Sequence, residues 1–335
     1  MDYYVSTLES HLRLRVPALA FSVLRAPALR HRGKLARQLR TVIDRYIRLP
    51  LAIRMSRASV VHITDQTYSH LIPWSKAPTV VTCHDLTPLK STRRSVGIQL
   101  YRASIRRLRD ADRVVTDSQA TKSELELRLG LPSMLITVIP LGVDPLFFGT
   151  RWLGRCEPLR VLHVGSNYDY KRMPLVVSTL RRLKELGRDP ILCKVGFRLE
   201  AELVNNLKNA GVRFEDHGSV TTAQLADLYA SASLLLFPSA SEGFGWPVAE
   251  AVAVGLPVVA SDLDVLRETS GGHAVYIQGD SAGDYAAAII ALIEHPARTV
   301  TLSENGRLWA RRYSWDAHVH ELAAVYIALL EQKKR

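Results

Sequence analysis

At 335 residues, with 47% hydrophobic and 23% charged residues, the chain is long enough for two domains of ordinary size and too apolar to be disordered. No apolar run approaches the roughly 20 residues of a membrane-spanning helix, and Cys83, Cys156 and Cys193 lack metal-ligand spacing, which predicts a reduced, cytoplasmic protein. The net charge of +12 is lopsided: residues 1–150 hold 23 Lys+Arg against 11 Asp+Glu, whereas 151–335 hold 21 against 21.

The spacing predicts a helix over residues 2–14 and a strand over 18–24. The run at 16–24 has the outline of a signal peptide, but Asp2 and Glu9 upstream argue against one. Between residues 25 and 57 stand ten basic residues and one acidic residue, Asp44, interleaved with Leu35, Leu39, Val42, Ile43, Tyr46, Ile47 and Leu51. Two readings stay open: a surface for anionic lipid or a polyanionic ligand, or a solvated helix face over an ordinary core. Nucleic acid is disfavoured, because no base-reading motif accompanies the charge. Residues 34–55 read as helical, with Pro50 as a break or kink.

SVVHIT at 59–64 and TVVTC at 79–83 are short β-branched strands. The second delivers His84 and Asp85 at its end, where α/β folds place site residues. A lone His there is more often a satisfied structural residue, and Asp85 either orients its imidazole or caps the next turn. A helix over 98–110, a strand over 113–116 and a helix over 119–129 capped by Ser118 follow. A linker is expected at 146–158, where Gly149, Gly154 and Pro158 punctuate the chain.

The strand at 159–164 runs into GSNYDYKRMP, a loop entering a helix at Pro174 and a natural phosphate cradle with Lys171 as its charge. An exposed turn lysine is the plainer alternative. Strands at 191–196 and 212–215 alternate with helices at 199–210 and 222–231. Helices over 281–294, 298–312 and 316–332 close the chain.

The stretch at 239–264 reads SASEGFGWPVAEAVAVGLPVVASDLD and follows a fully apolar run, LLLF, at 234–237. That run predicts a buried parallel strand, followed by a tight turn through Glu242, Gly243, Phe244 and Gly245 and a helix opening at Pro247. Glu242 and Glu250 then face the carboxyl end of a parallel sheet, where such sheets bind ligands. Backbone N–H groups and the helix dipole there suit a diphosphate. Ionised carboxylates suit the hydroxyls of a sugar. On residues alone, Glu242 as a cap and a solvated Glu250 carry equal weight.

The Glu242–Glu250 pair with GFG and GLPVVASD, together with VVTCHDLTPL, GVD at 142–144, the Gly165-to-Lys171 spacing and YSW at 313–315, resembles the retaining glycosyltransferases of family 4, which have the GT-B architecture. The resemblance implies two doubly wound α/β domains facing a cleft, over about residues 59–330. It implies that Glu242 reaches the donor sugar and Glu250 the nucleotide ribose, with Gly243, Phe244 and Gly245 at sugar or phosphate. By the same resemblance Gly165 and Lys171 hold the diphosphate, and His84 lines the cleft near the donor sugar. The family's basic residue before the Lys is Tyr170 here, which leaves Arg172 as the other candidate to complete the phosphate site.

The expectation is therefore an enzyme that moves a hexose, by the HITDQ and CHDL segments mannose from GDP-mannose, to a glycan or lipid-linked acceptor with retention. Catalytic roles fall to His84, Lys171 and Glu242, with no metal and no cofactor beyond the donor. The expected domains are 1–148 for the acceptor, 149–315 for the donor, and a helix at 316–335 that returns to the first domain. The alternative is a non-catalytic sugar-nucleotide or polyanion-binding module on the same fold. A Rossmann dehydrogenase is excluded by the absence of a GxGxxG set. The protein is expected in the cytoplasm, peripheral to the inner membrane face through residues 25–57. Residues 1–12 resemble the family's first helix, normally preceded by a central strand and a glycine-rich loop. The natural start is thus expected roughly 15–25 residues upstream of Met1.

Overall fold

In a computed structural model of the protein, described for residues 2–24, 34–90, 95–154 and 157–333 (backbone alone at 2 and 34–38), the chain divides into two compact units. One comprises residues 1–140 with 315–335, the other 141–314, so the division falls at 140–141, ahead of the linker expected at 146–158 and the domain boundary expected at 148–149. Residues 25–33 of the basic segment and Cys156 lie outside the described residues.

The first unit is built on four parallel strands, β1 (Val61–Ile63), β2 (Thr79–Cys83), β3 (Arg113–Thr116) and β4 (Ile136–Val138), which lie side by side in chain order. All five residues of β2 are buried, as a strand covered on both faces requires. Val81 and Cys83 share an apolar cluster with Ile105, Leu108, Val114 and Leu125. The helix Gln119–Leu129 starts where expected, with the Ser118 hydroxyl accepting from the Thr121 N–H, and it stops at left-handed Gly130. Residues 18–24 form no strand. Arg13 instead lies over the Phe21 ring at 4.7 Å, and that local contact needs no ladder. The helix Lys34–Ile43 does not break before Pro50; it widens into a π-helical turn, Asp44–Arg48, and continues as Leu49–Met55. Pro50 sits in the first turn of that last segment, where a missing N–H costs little. The C-terminal helix Trp315–Gln332 packs on the helix Asp2–Arg15: His318 meets the Tyr4 hydroxyl, and Asp316 binds Arg15 at 2.8 Å.

The second unit carries six parallel strands: β5 (Arg160–Gly165), β6 (Ile191–Gly196), β7 (Arg213–Gly218), β8 (Leu234–Phe237), β9 (Val258–Ser261) and β10 (Val275–Ile277). Their spatial order is β10-β9-β8-β5-β6-β7. The chain therefore winds outward from β5, returns to the other side of it at β8, and winds outward again. The reversal lies between β5 and β8, and the loops that leave those two strands flank the crevice that open α/β sheets use for ligands. On one face, Val161, Leu192, Leu234 and Leu236 pack with Val176, Leu180 and Leu183 of the helix Met173–Glu185. Each such side chain, fully buried, contributes about 1.5–3 kcal/mol, so the sheet is a rigid base for the loops at its carboxyl end.

Candidate active site

The two loops beside the reversal carry most of the residues singled out above. After β5 the chain makes a short 3-10 turn, Asp169–Lys171, and enters the helix Met173–Glu185. After β8 it turns through residues 238–245 into the helix Trp246–Val254. Both helices begin with Pro in the first turn, and both direct their positive ends to the carboxyl edge of the sheet. Gly245 is left-handed, and a Cβ there would stand 2.6 Å from Leu266, so the turn requires glycine. The loops are tied together by Ala240, whose N–H donates to the Tyr170 carbonyl at 2.7 Å.

Lys171 and Glu242 meet directly, Nζ to Oε1 at 2.6 Å. The ammonium also lies over the Phe237 ring at 4.6 Å, and the residue is almost fully buried. A buried ammonium holding one carboxylate, flanked by two helix N-termini, is chemically suited to an anion. Gly165 places its Cα against the Lys171 stem, where a Cβ would come within 3.4 Å of Cε. Arg172 takes a left-handed conformation and pairs with Asp280 at 2.7 Å, whereas Tyr170 turns its ring toward Tyr168 and Lys171. Phe244 is buried against Tyr313, ring centroids 5.3 Å apart. Its carbonyl accepts from Thr269, which shapes the turn from behind.

Glu250, on the helix Trp246–Val254, accepts a hydrogen bond from the Tyr229 hydroxyl at 2.9 Å. Burial pushes its carboxyl up to about 8; the Tyr229 bond opposes this, and the Asp144 charge adds to it. At neutral pH the group is thus a carboxylic acid that donates as well as accepts, not the acceptor-only carboxylate the sequence suggested. Between its ordinary value of 4.5 and about 8 the folded state keeps a proton that the unfolded chain has lost. Stability from this group therefore falls as pH rises through that window. Glu250→Gln is expected to melt a few degrees higher than the parent at pH 8.5, with little difference at pH 4.5, in thermal scans at both pH values. A constant difference at both would show that Glu250 is ionised.

His84 belongs to the first unit. Its Nδ1 is 2.7 Å from Asp117 Oδ2 and its Nε2 is 3.0 Å from the Thr64 carbonyl. Tyr4 stands edge-on to the ring at 4.9 Å. Burial acts to lower its pKa, but the Asp117 charge and hydrogen bond, with Asp65 behind them, raise it to about 9. The ring is therefore an imidazolium with both N–H groups donated to protein. It offers positive charge and an apolar face, and no proton-accepting nitrogen. Asp85 has the other role that was left open: its carboxylate accepts from the Thr87 N–H at 2.7 Å and caps the turn. Asp117 was missed in the sequence, because only the parallel pairing of Cys83 with Thr116 brings the ends of β2 and β3 together. Gln66 was missed too. Its amide brackets the strand end, accepting from His84 N–H at 3.1 Å and donating to the Asp85 carbonyl at 2.8 Å.

Comparison with known proteins places these features. A family model described as glycosyl transferases group 1 matches residues 158–295, and one described as glycosyltransferase family 4 matches residues 11–146. The chain belongs to the family 4 glycosyltransferases. A D-inositol 3-phosphate glycosyltransferase of Geodermatophilus obscurus is 31% identical over 77% of this chain and 63% of its own length. The chain thus spans less than two thirds of that relative. A phosphatidyl-myo-inositol mannosyltransferase of Mycobacterium leprae is 28% identical over 80% of this chain and 72% of its own. Among solved structures, sucrose-phosphate synthase from Thermosynechococcus elongatus aligns with a TM-score of 0.75 at 21% identity, covering 94% of this chain and 86% of its own. Anabaena HepE, solved with UDP-glucose, aligns at 0.70 and 19% identity over 88% of this chain and 84% of its own. The fold of this family 4 chain is accordingly GT-B, two parallel-sheet α/β units.

Proposed function

We propose that the protein transfers a hexose from a nucleoside diphosphate sugar to a glycan or lipid-linked acceptor, with retention at the anomeric carbon. The observation that carries this reading is the Lys171–Glu242 pair at 2.6 Å beside the strand reversal of the second unit. In the reaction the bond from the anomeric carbon to the diphosphate oxygen breaks, an acceptor hydroxyl oxygen bonds to that carbon, and its proton leaves on the diphosphate. Lys171 neutralises the departing charge, and Glu242, released from the lysine, accepts from donor-sugar hydroxyls. Glu250 holds the ribose, and Gly165, Gly243, Phe244 and Gly245 shape the cradle. Arg172 is one loop position away and exchanges Asp280 for phosphate. His84 supplies a fixed positive charge.

GDP-mannose is the proposed donor, supported by the HITDQ and CHDL segments and by a mannosyltransferase among the relatives. Incubation with a panel of nucleotide sugars, read by mass spectrometry, is expected to show hydrolysis of GDP-mannose first. Preference for a UDP-sugar overturns the donor, and tight binding without turnover of any donor favours the non-catalytic module.

The partner proposed for the basic segment is an anionic membrane surface, which would place the protein at the inner face of the membrane. Leu39, Val42, Ile47, Leu51 and Met55 are each at least half exposed on the helical stretch 39–55, with Arg48, Arg54 and Arg57 exposed beside them. Apolar side chains flanked by arginines suit a headgroup layer. Among the described residues no helix is long and apolar enough to cross a membrane. The protein is expected to sediment with vesicles containing phosphatidylglycerol, not with neutral ones, and to be released by raised salt. Equal sedimentation with both, or none, leaves an ordinary solvated face.

A further inference from the structure

Lys194 lies in β6 with no exposed surface. Its three ammonium hydrogens go to three backbone carbonyls: Gly165 at 2.7 Å, Val195 at 2.9 Å and Phe197 at 3.1 Å. An apolar side chain would fill such a place without the desolvation cost of a buried charge, which is several kcal/mol. Neutral dipoles, not a carboxylate, hold this one. Its register neighbours on the flanking strands are His163 on β5 and Asp216 on β7. His163 is fully buried; its Nδ1 is bonded to the Leu236 carbonyl at 3.0 Å, and burial with the Lys194 and Lys171 charges pushes it down to about 3, so it is neutral. The Asp216 carboxylate is engaged by the Leu199 N–H at 2.9 Å and the Gly218 N–H at 3.3 Å, with Arg198 at 3.9 Å. Lys171 is the remaining charge that acts on Lys194, and it is itself paired with Glu242.

The carbonyls chosen by Lys194 matter. Gly165 ends β5 and begins the loop to Lys171, while Val195 lies in the last residues of β6 and Phe197 directly follows that strand. Gly196 has φ +107°, and any Cβ there would overlap the Gly165 carbonyl, so the two turns touch backbone to backbone. The Phe197 N–H adds a bond to the same carbonyl at 3.3 Å, and Asn167 donates to the Arg198 carbonyl. A trans peptide directs its N–H opposite to its C=O. With the Gly165 carbonyl drawn onto Lys194, the Ser166 N–H is aimed away from Lys194.

We propose that Lys194 is a positioning residue of the donor site, fixing the Gly165–Ser166 peptide for a nucleoside diphosphate and adding a second positive charge beneath the loop that carries Lys171. This rests on the reading of that loop as the diphosphate cradle. Burial pushes the Lys194 ammonium down to about 8, against the Asp216 charge and with Lys171, so the group titrates just above neutral pH. An anion bound nearby raises its proton affinity, and by linkage the proton strengthens anion binding.

The test uses UDP and GDP as probes, with binding measured by calorimetry from pH 7 to 9.5. Lys194→Met is expected to weaken binding about tenfold or more at pH 7, with kcat at saturating donor falling less than it does in Lys171→Ala. The parent should lose affinity more steeply above pH 8 than Lys194→Met does. At pH 8.5, comparison of buffers with different ionisation enthalpies should reveal uptake of a fraction of a proton on binding in the parent and in Glu250→Gln, which removes the other donor-site group near 8, a measurement that stands even if Lys194→Met does not fold. Unchanged affinity in Lys194→Met, or no proton uptake in the parent, overturns the role. Lys171→Ala separates the two readings: loss of binding there with none in Lys194→Met sinks only the Lys194 proposal. Retention of binding in both sinks the diphosphate cradle and this proposal with it.

Discussion

Replacing Lys171 by alanine is expected to lower kcat/KM for transfer by roughly 10²–10³, about 2.7–4 kcal/mol of transition-state stabilisation, because the charge it supplies is needed most when the diphosphate departs. The protein should remain folded. Glu242 loses its 2.6 Å partner but lies at a crevice wall, so the cost is about 1–3 kcal/mol, within the margin of an ordinary domain. Glu242→Ala should reduce kcat as well, since it frees the lysine from its resting partner but removes the acceptor for the sugar. Glu250→Ala should act chiefly on the donor KM, because the ribose contact proposed for it is the same before and during reaction. Steady-state kinetics with circular dichroism as a folding control decides this. Equal and small effects of all three substitutions would remove the assignment.

His84→Ala should show the other large effect, on stability first. Asp117 is 2% exposed, and its Oδ1 has no protein partner among the described residues, so loss of the imidazolium leaves a buried carboxylate uncompensated. Breaking such a pair from one side costs about 3–5 kcal/mol, whereas removing both partners costs much less. The double variant His84→Ala, Asp117→Ala is therefore expected to melt above the single His84→Ala. The pH dependence has a definite sign. His84 is raised from 6.5 to about 9 in the fold, so its stabilisation is fully present below pH 6.5 and is lost as pH rises through 9. Imidazole NMR should report that titration, and Asp117→Asn should bring it back toward the ordinary value. A parent His84 titrating near 6.5, or a double variant no more stable than the single, would show that the pair is not an ion pair.

Much of this molecule is legible in its residues one by one. LLLF at 234–237 is a buried strand because four successive apolar side chains admit no solvent face, and all four are buried. The helix Gln119–Leu129 is legible because Ser118 and Gly130 mark its ends by chemistry local to each. The candidate donor residues also lie in two short segments with their own signatures, 165–172 and 242–250, so their membership in one crevice follows once the strands before them are neighbours. Local signals of that kind act over a few residues and need no partner.

What the residues did not disclose depends on contacts far apart in the chain. Glu250 was read as a carboxylate because ionisation is the default in water; burial, with the Asp144 charge adding to it, holds a proton there against the Tyr229 hydrogen bond. Asp117 carries no local signal of its role; the β2–β3 register sets it against His84. Lys194 interrupts an otherwise apolar strand, ILCKVG, and nothing in that pattern marks it as buried. Its burial is decided by the carbonyls of Gly165, Val195 and Phe197, which converge only when β5 and β6 pair and their turns touch. Propensity and patterning determine the elements because they are short-range. The protonation states and the partners of these charged groups are set by desolvation and by neighbours 21 to 71 residues away, and those exist only in the folded chain.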